Sequence, residues 1–275
     1  MKKRNSILIL LLSLFTISIQ AQQLTRFSLA VEGGSEYATG DMNANWNVRQ
    51  DVGYTNYGWD YYNQDYGTGN SINSEMTMKF IGIKPEFAFL NNLFAITSGL
   101  RYTRMNSVLN MNSSSSGSYF FLRDNASVIG TELYKVKKIN EDNDYLGVPL
   151  ELMFLPFPYE YFAFYLKAGV ELNFKFNTNR SIEFLNADMK PNQQKLFNQA
   201  GVTPSPFYST LYSAVGVRYG KGNGLKYNFE VLFPSQILTT NNSSLFVPRF
   251  YSGVKLSVQF PLKKASTAKP VNSNL

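Results

Sequence analysis

The chain has neither cysteine nor histidine among its 275 residues, and each absence removes a class of chemistry. Without histidine there is no Ser-His or Asp-His general-base arrangement. Without cysteine there is no thiol nucleophile and no disulfide. Together the two absences remove the usual zinc and transition-metal ligand sets. A Ser-Lys or paired-carboxylate site is the catalytic chemistry left, so a non-enzymatic protein with no cofactor and no metal is expected. Charge is also scarce, at 16% of residues, and after the first 20 or so residues no apolar run is long enough to cross a membrane as a helix.

The N-terminus, MKKRNSILILLLSLFTISIQAQQ, sets Lys2, Lys3 and Arg4 before an apolar run from about Ile7 to Ile19, with small or polar residues around Ala21. This is the layout of a secretory signal peptide, with cleavage expected after Ala21, so that residues 1–21 are removed. No cysteine follows to accept a lipid. Removing three basic residues lowers the formal charge from +7 to about +4, and Lys263, Lys264 and Lys269 in the tail supply much of the remainder. A nucleic-acid partner is not expected on that basis. An exported chain without disulfides must find its stability elsewhere.

Period-2 alternation is frequent and helical periodicity is scarce. Eight strands are expected, at about 25–37, 76–89, 93–106, 143–155, 161–177, 208–220, 224–238 and 246–261. Tight turns follow strands two, four and six (Asn91-Asn92, PFPYE, GKGNG), whereas most other connections are long, at roughly 38–75, 107–142 and 178–207, with a shorter one near 239–245. Short turns at one end and long loops at the other describe an all-β, up-and-down antiparallel transmembrane barrel. The segments YFFL and ELYKVKK, after the flexible SSSSG, are candidates for an added hairpin that would raise the count from eight strands to ten.

Parity separates two faces. One face of each strand is almost wholly apolar: Phe162, Phe164, Leu166, Ala168, Val170, Leu172, Phe174 and Phe176 on strand five, for instance. The opposite face carries Glu32, Lys84, Glu86, Arg101, Glu151, Lys167, Glu171, Lys175, Arg218, Lys226, Glu230 and Lys255. An eight-stranded barrel is just wide enough for side chains to fill it, so these seven bases and five acids are expected to pair inside a closed lumen. Lys167, Glu171, Arg218, Glu230 and Glu151 form its expected centre. Where strands meet short turns or a terminus, the apolar parity ends in Phe27, Phe89, Phe94, Phe154, Phe162, Tyr219, Tyr227 and Phe260, as an interfacial aromatic girdle would.

The stretches YLGVPLELMF (145–154) and PFPYEYFAFYLKAGVEL resemble the PorT-like outer-membrane β-barrel superfamily of Bacteroidota. In those proteins a Tyr-Leu-x-Ile/Val-Pro-Leu strand precedes a turn and a Tyr-Leu-x-Ala-Gly strand. The strand layout extends the resemblance over most of the mature chain. It implies an outer-membrane barrel; its motifs specify architecture rather than role. Many such barrels end on an aromatic, whereas Phe260 here is followed by PLKKASTAKPVNSNL. The resemblance therefore implies an internal insertion signal in the last strand, with 22–262 as the barrel and 263–275 as a disordered basic periplasmic tail.

Function is then expected at the loops, through adhesion, ligand or partner binding, or as a membrane subunit of an envelope or secretion assembly. A narrow channel for small solutes is the alternative, and an outer-membrane enzyme a weak third. Expected partners are outer-membrane lipid, lipopolysaccharide and a protein of an envelope complex. The first long loop concentrates Trp46, Tyr54, Tyr57, Trp59, Tyr61 and Tyr62 among Asn and Gly, flat rings suited to a sugar or a protein surface. The acidic run Glu141, Asp142 and Asp144 lacks a full calcium-loop pattern and is expected to be a solvated turn.

Overall fold

A computed structural model describes residues 26–46, 48–50, 72–90, 92–111, 119–123, 133–158, 161–221, 224–238 and 242–262. The expected signal peptide and basic tail lie outside these residues, as do Tyr54, Tyr57, Trp59, Tyr61 and Tyr62.

The strands are β1 (Arg26–Met42), β2 (Val48–Gln50), β3 (Ile72–Phe89), β4 (Phe94–Ser98), β5 (Leu100–Met111), β6 (Phe120–Arg123), β7 (Leu133–Pro158), β8 (Phe162–Phe184), β9 (Phe207–Tyr219), β10 (Lys226–Ile237) and β11 (Phe246–Pro261). β4 and β5 are one strand interrupted at Gly99, and together they lie between β3 and β7. Antiparallel pairing then runs β1–β3–β4/β5–β7–β8–β9–β10–β11, and β11 pairs back onto β1 from Ser28↔Pro261 to Met42↔Phe246. The ring of eight strands is closed, and closure leaves it no unpaired edge.

The hairpin of YFFL and ELYKVKK does form, as β6 against the start of β7, with β2 added on its far side. It lies off the ring. The ring therefore stays at eight strands rather than ten, because β7 is already paired on both edges wherever it passes through the barrel wall.

Alternation decides which way each side chain points. Ile81, Ile83, Leu100, Leu150, Leu166 and Leu256 are each more than half exposed, whereas all the charges named on the opposite parity except Lys175 and Lys226 are buried. The usual arrangement of a globular protein is inverted. An apolar exterior around a polar interior, on a closed ring, is what hydrocarbon solvent requires, since every ladder hydrogen bond is made within the protein. Among the described residues no helix is long and apolar enough to cross a membrane; the strands do so.

β7 has 26 residues and β8 has 23, where about 9–11 suffice to cross a bilayer, so their excess projects beyond it. On β7 the outward apolar run goes from Leu146 to Phe154. Above it Asp144, Asp142 and the exposed Arg104 and Lys79 replace apolar residues. A bulge at Phe176 sets Tyr145 opposite Lys175 and Asp144 opposite Asn177, which breaks the parity of β8 where it leaves the apolar band. Beyond this point the segment expected as the loop 178–207 continues as strand to Phe184, then forms a 3-10 turn (Ala187–Asn192) and a helix, α1 (Gln193–Ala200), that ends at Gly201 with φ 62°. Leu196, Phe197 and Ala200 of α1 pack on Trp46, Leu109, Phe120, Val136, Ile139 and Ile182. The long-loop end thus carries its own apolar core, a folded cap on the barrel.

Candidate functional site: the lumen and its cap

From the short-turn end inward, the lumen is filled layer by layer. Ala88, Ala95, Met153, Leu155, Ala163 and Tyr165 form a first apolar layer. Arg218 follows, paired with Glu86 at 2.8 Å, while its Nε donates to Asn228 at 2.7 Å and Gln259 donates to Glu86 at 2.7 Å.

The main network surrounds Glu151. Lys84 (2.6 Å), Lys255 (3.1 Å), Lys167 (3.3 Å) and Arg101 (3.6 Å) approach its carboxylate, and the hydroxyls of Thr97 (2.6 Å) and Tyr212 (2.7 Å) donate to it. Glu230 takes Lys167 at 2.6 Å, Lys255 at 2.7 Å and the Tyr165 hydroxyl at 2.9 Å. Glu32 takes Lys84 at 2.5 Å and Arg101 at 2.6 Å, and Arg101 also pairs with Glu171. A buried charge costs several kcal/mol unless it is paired and hydrogen-bonded. Here the lysines bridge carboxylates from different strands, so the network ties the walls of the ring together.

Flat packing of tyrosines against bare backbone makes room for this network. A β-carbon at Gly216 would overlap the Tyr165 ring, and one at Gly169 would stand 2.8 Å from Tyr212. Toward the long loops a second apolar layer follows, of Ala38, Met76, Met78, Met105, Tyr145, Tyr208, Phe246 and Tyr251. Above it the last long connection folds inward, with Asn242, Ser243 and Ser244 fully buried.

Glu141 holds that connection in place. Its carboxylate accepts from the Ser243 hydroxyl (2.8 Å), the Ser244 N–H (2.9 Å), the Ser244 hydroxyl and the Asn143 amide (3.0 Å). The Tyr145 hydroxyl donates to Asn242 O at 3.0 Å, and the Trp46 indole N–H donates to Ser244 O at 2.8 Å.

Several expected site residues stand elsewhere than anticipated. Trp46 is not a loop-surface ring but a core residue, 3% exposed and edge-on to Phe197 at 5.8 Å. Lys175 is half-buried at the bulge, where its ammonium donates to Pro204 O at 2.6 Å instead of entering the ion network. Lys226 is half-buried near the short-turn end, opposite Gln259. Lys84, Glu86, Arg101, Glu151, Lys167, Glu171, Arg218, Glu230 and Lys255 are all buried in the lumen with Glu32.

Glu141, Asp142 and Asp144 are not a turn. They lie in β7, Glu141 buried toward the lumen and the other two turned to Arg104 and Tyr102 on the outer side. Burial opposes ionisation of Asp144, but hydrogen bonds from Tyr102 (2.7 Å) and Asn177 (2.8 Å) and the charge of Arg104 outweigh it and hold the carboxyl below the usual range. Of the aromatic set, Phe27, Phe162, Tyr219, Tyr227 and Phe260 are exposed. Phe89, Phe94 and Phe154 are half-buried against one another, with ring centroids 5.9 and 5.1 Å apart.

The residues missed from sequence include Glu36, which shares the inward parity of Glu32, and the lumen tyrosines Tyr208, Tyr212 and Tyr251. Parity alone would have found them.

No protein-family model matches the chain, and no curated protein matches it. Among solved structures it is similar to the outer membrane protein OprG from Pseudomonas aeruginosa, at 12% identity over 86% of this chain and 97% of that one, with a TM-score of 0.40. It is similar also to the translocator domain of the autotransporter NalP from Neisseria meningitidis (7% identity, 95% and 98% coverage, TM-score 0.28). A third likeness is to the transport unit of the autotransporter AIDA-I from Escherichia coli (6%, 88% and 92%, TM-score 0.25). Likenesses at these values carry nothing about what this chain binds. The closed ring with an apolar outer face and a charged interior is by itself the construction of an outer-membrane β-barrel.

Proposed function

We propose that the protein is a non-enzymatic outer-membrane barrel with a filled lumen that works through its external face. In this reading it binds a ligand or partner there, or serves as a membrane subunit of a larger envelope or secretion assembly. The observation that carries the reading is the stacking of fillings along the axis: the Glu151 network, the Met and Tyr layer and the inward-folded 242–245 segment. A lumen filled in this way favours surface work over transport, and the folded cap beyond the bilayer is a rigid platform for it.

Kinship to the PorT-like barrels of Bacteroidota belongs to this proposal and rests on YLGVPLELMF and its following strand. Outer-membrane lipid and lipopolysaccharide are proposed to meet the apolar band and the polar residues above it. The aromatic run from Tyr54 to Tyr62 is the proposed contact for a partner.

Planar-bilayer recording on the purified protein tests the reading. No stable conductance steps are expected, and steps of substantial size would favour the narrow solute channel instead. Deletion of residues 51–70, which spares Trp46 and β2, is expected to leave the barrel heat-modifiable while abolishing recovery of any stoichiometric envelope partner.

A further inference from the structure

Among the described residues the carboxyl groups of the central network outnumber its cations by one. Glu32, Glu36, Glu151, Glu171 and Glu230 face Lys84, Arg101, Lys167 and Lys255, five carboxylates to four cations, while Glu86 and Arg218 neutralise each other. Lys226, a further inward cation, stands opposite Gln259 on β11. Glu36 stands opposite Gly253, six residues along the same strand or about 20 Å away.

Glu36 is the surplus carboxylate. Arg101, which lines the same cavity, is committed to Glu32 and Glu171, and no cation stands within ion-pair distance of Glu36 among the described residues. That cavity has a volume of about 20 Å3, enough for one water-sized occupant. Its polar lining is all oxygen-bearing apart from Arg101: Glu36, Glu171, Asn173 and the hydroxyls of Thr103, Thr210 and Ser235 among them.

Asn173 supplies an independent sign of an occupant. Its side chain is 1% exposed and its Oδ1 has no hydrogen-bond partner. A β-carbon at Gly147 would run into both Asn173 Oδ1 and Glu171 Oε1, so the two side chains lie together over the same bare stretch of backbone. A buried acceptor left without a partner is costly.

We infer that this cavity binds one monovalent metal cation, held by Glu36, Glu171 and the Asn173 carbonyl oxygen. A single charge of that sign balances the surplus carboxyl group and gives the Asn173 oxygen a partner. A surplus of one carboxyl group calls for a monovalent rather than a divalent ion.

The test is the heat-unfolding temperature of the detergent-solubilised full chain in NaCl, KCl and N-methylglucamine chloride at equal concentration and fixed pH. Binding only to the folded state is expected to raise the midpoint by about 3–5 °C per tenfold rise in the preferred cation, with no such rise in N-methylglucamine. Glu36→Gln should abolish the dependence while its midpoint in N-methylglucamine matches or exceeds that of the wild type. Asn173→Leu, tested as a heat-modifiable closed barrel, should weaken the dependence at least tenfold in cation concentration. Equal wild-type midpoints in all three salts would overturn the inference, as would a dependence that survives Glu36→Gln. A midpoint that responds to pH and not to the cation would give the missing charge to a proton instead and overturn it equally.

Discussion

Glu151 shows how one side chain can organise an interior. Four cations and two hydroxyls converge on it, so Glu151→Leu leaves several buried positive charges without compensation. Removing one partner of a buried pair costs about 3–5 kcal/mol, whereas replacing a complete network with apolar residues is often neutral. The gel-shift temperature of the Leu variant should accordingly fall by about 6–20 °C, at the 2–4 °C per kcal/mol of a chain this size. Glu171→Leu should cost less, because Arg101 keeps Glu32, and equal losses at the two positions would argue against Glu151 as the hub. Individual inward charges such as Glu151 and Lys255 are legible from parity, because each strand alternates with period two. Which charges meet is not legible: Lys255 and Glu151 are 104 positions apart.

The strands that outgrow the bilayer make the cap, and one aromatic joins it to the barrel mouth. Trp46→Ala removes a buried indole and its bond to Ser244 O, a loss of about 3–5 kcal/mol on the pattern of large-to-small core changes. Because the cap core is separate from the barrel lumen, limited proteolysis should cut faster between residues 185 and 206 while heat-modifiability of the barrel persists. Simultaneous loss of both would mean that cap and barrel unfold as one unit. Glu141→Ala strips acceptors from Ser243 and Ser244, each stranded buried donor costing about 1–3 kcal/mol, so the 242–245 segment should gain hydrogen exchange first. Nothing in the local pattern marks these roles. Glu141 reads as one of a run of acids, and its partners lie 102 and 103 residues away.

Across the barrel, closure and filling are separable properties, and the two can be tested apart. Closure predicts that the folded protein migrates differently from the boiled protein on gels; filling predicts silence in a bilayer. A heat-modifiable protein that nonetheless conducts would keep the fold and overturn the filled-lumen reading. The eight strands, their up-and-down order and their two faces are determined by the amino-acid sequence itself, because alternation and turn composition are local properties of the chain. The tertiary structure alone decided the rest: that the β6 hairpin stays off the ring, that Trp46 is core, that Lys175 leaves the network at a bulge, and that Glu36 meets a cavity without a cation of its own. Each of these depends on contacts between distant segments, and sequence period carries no record of which segments meet.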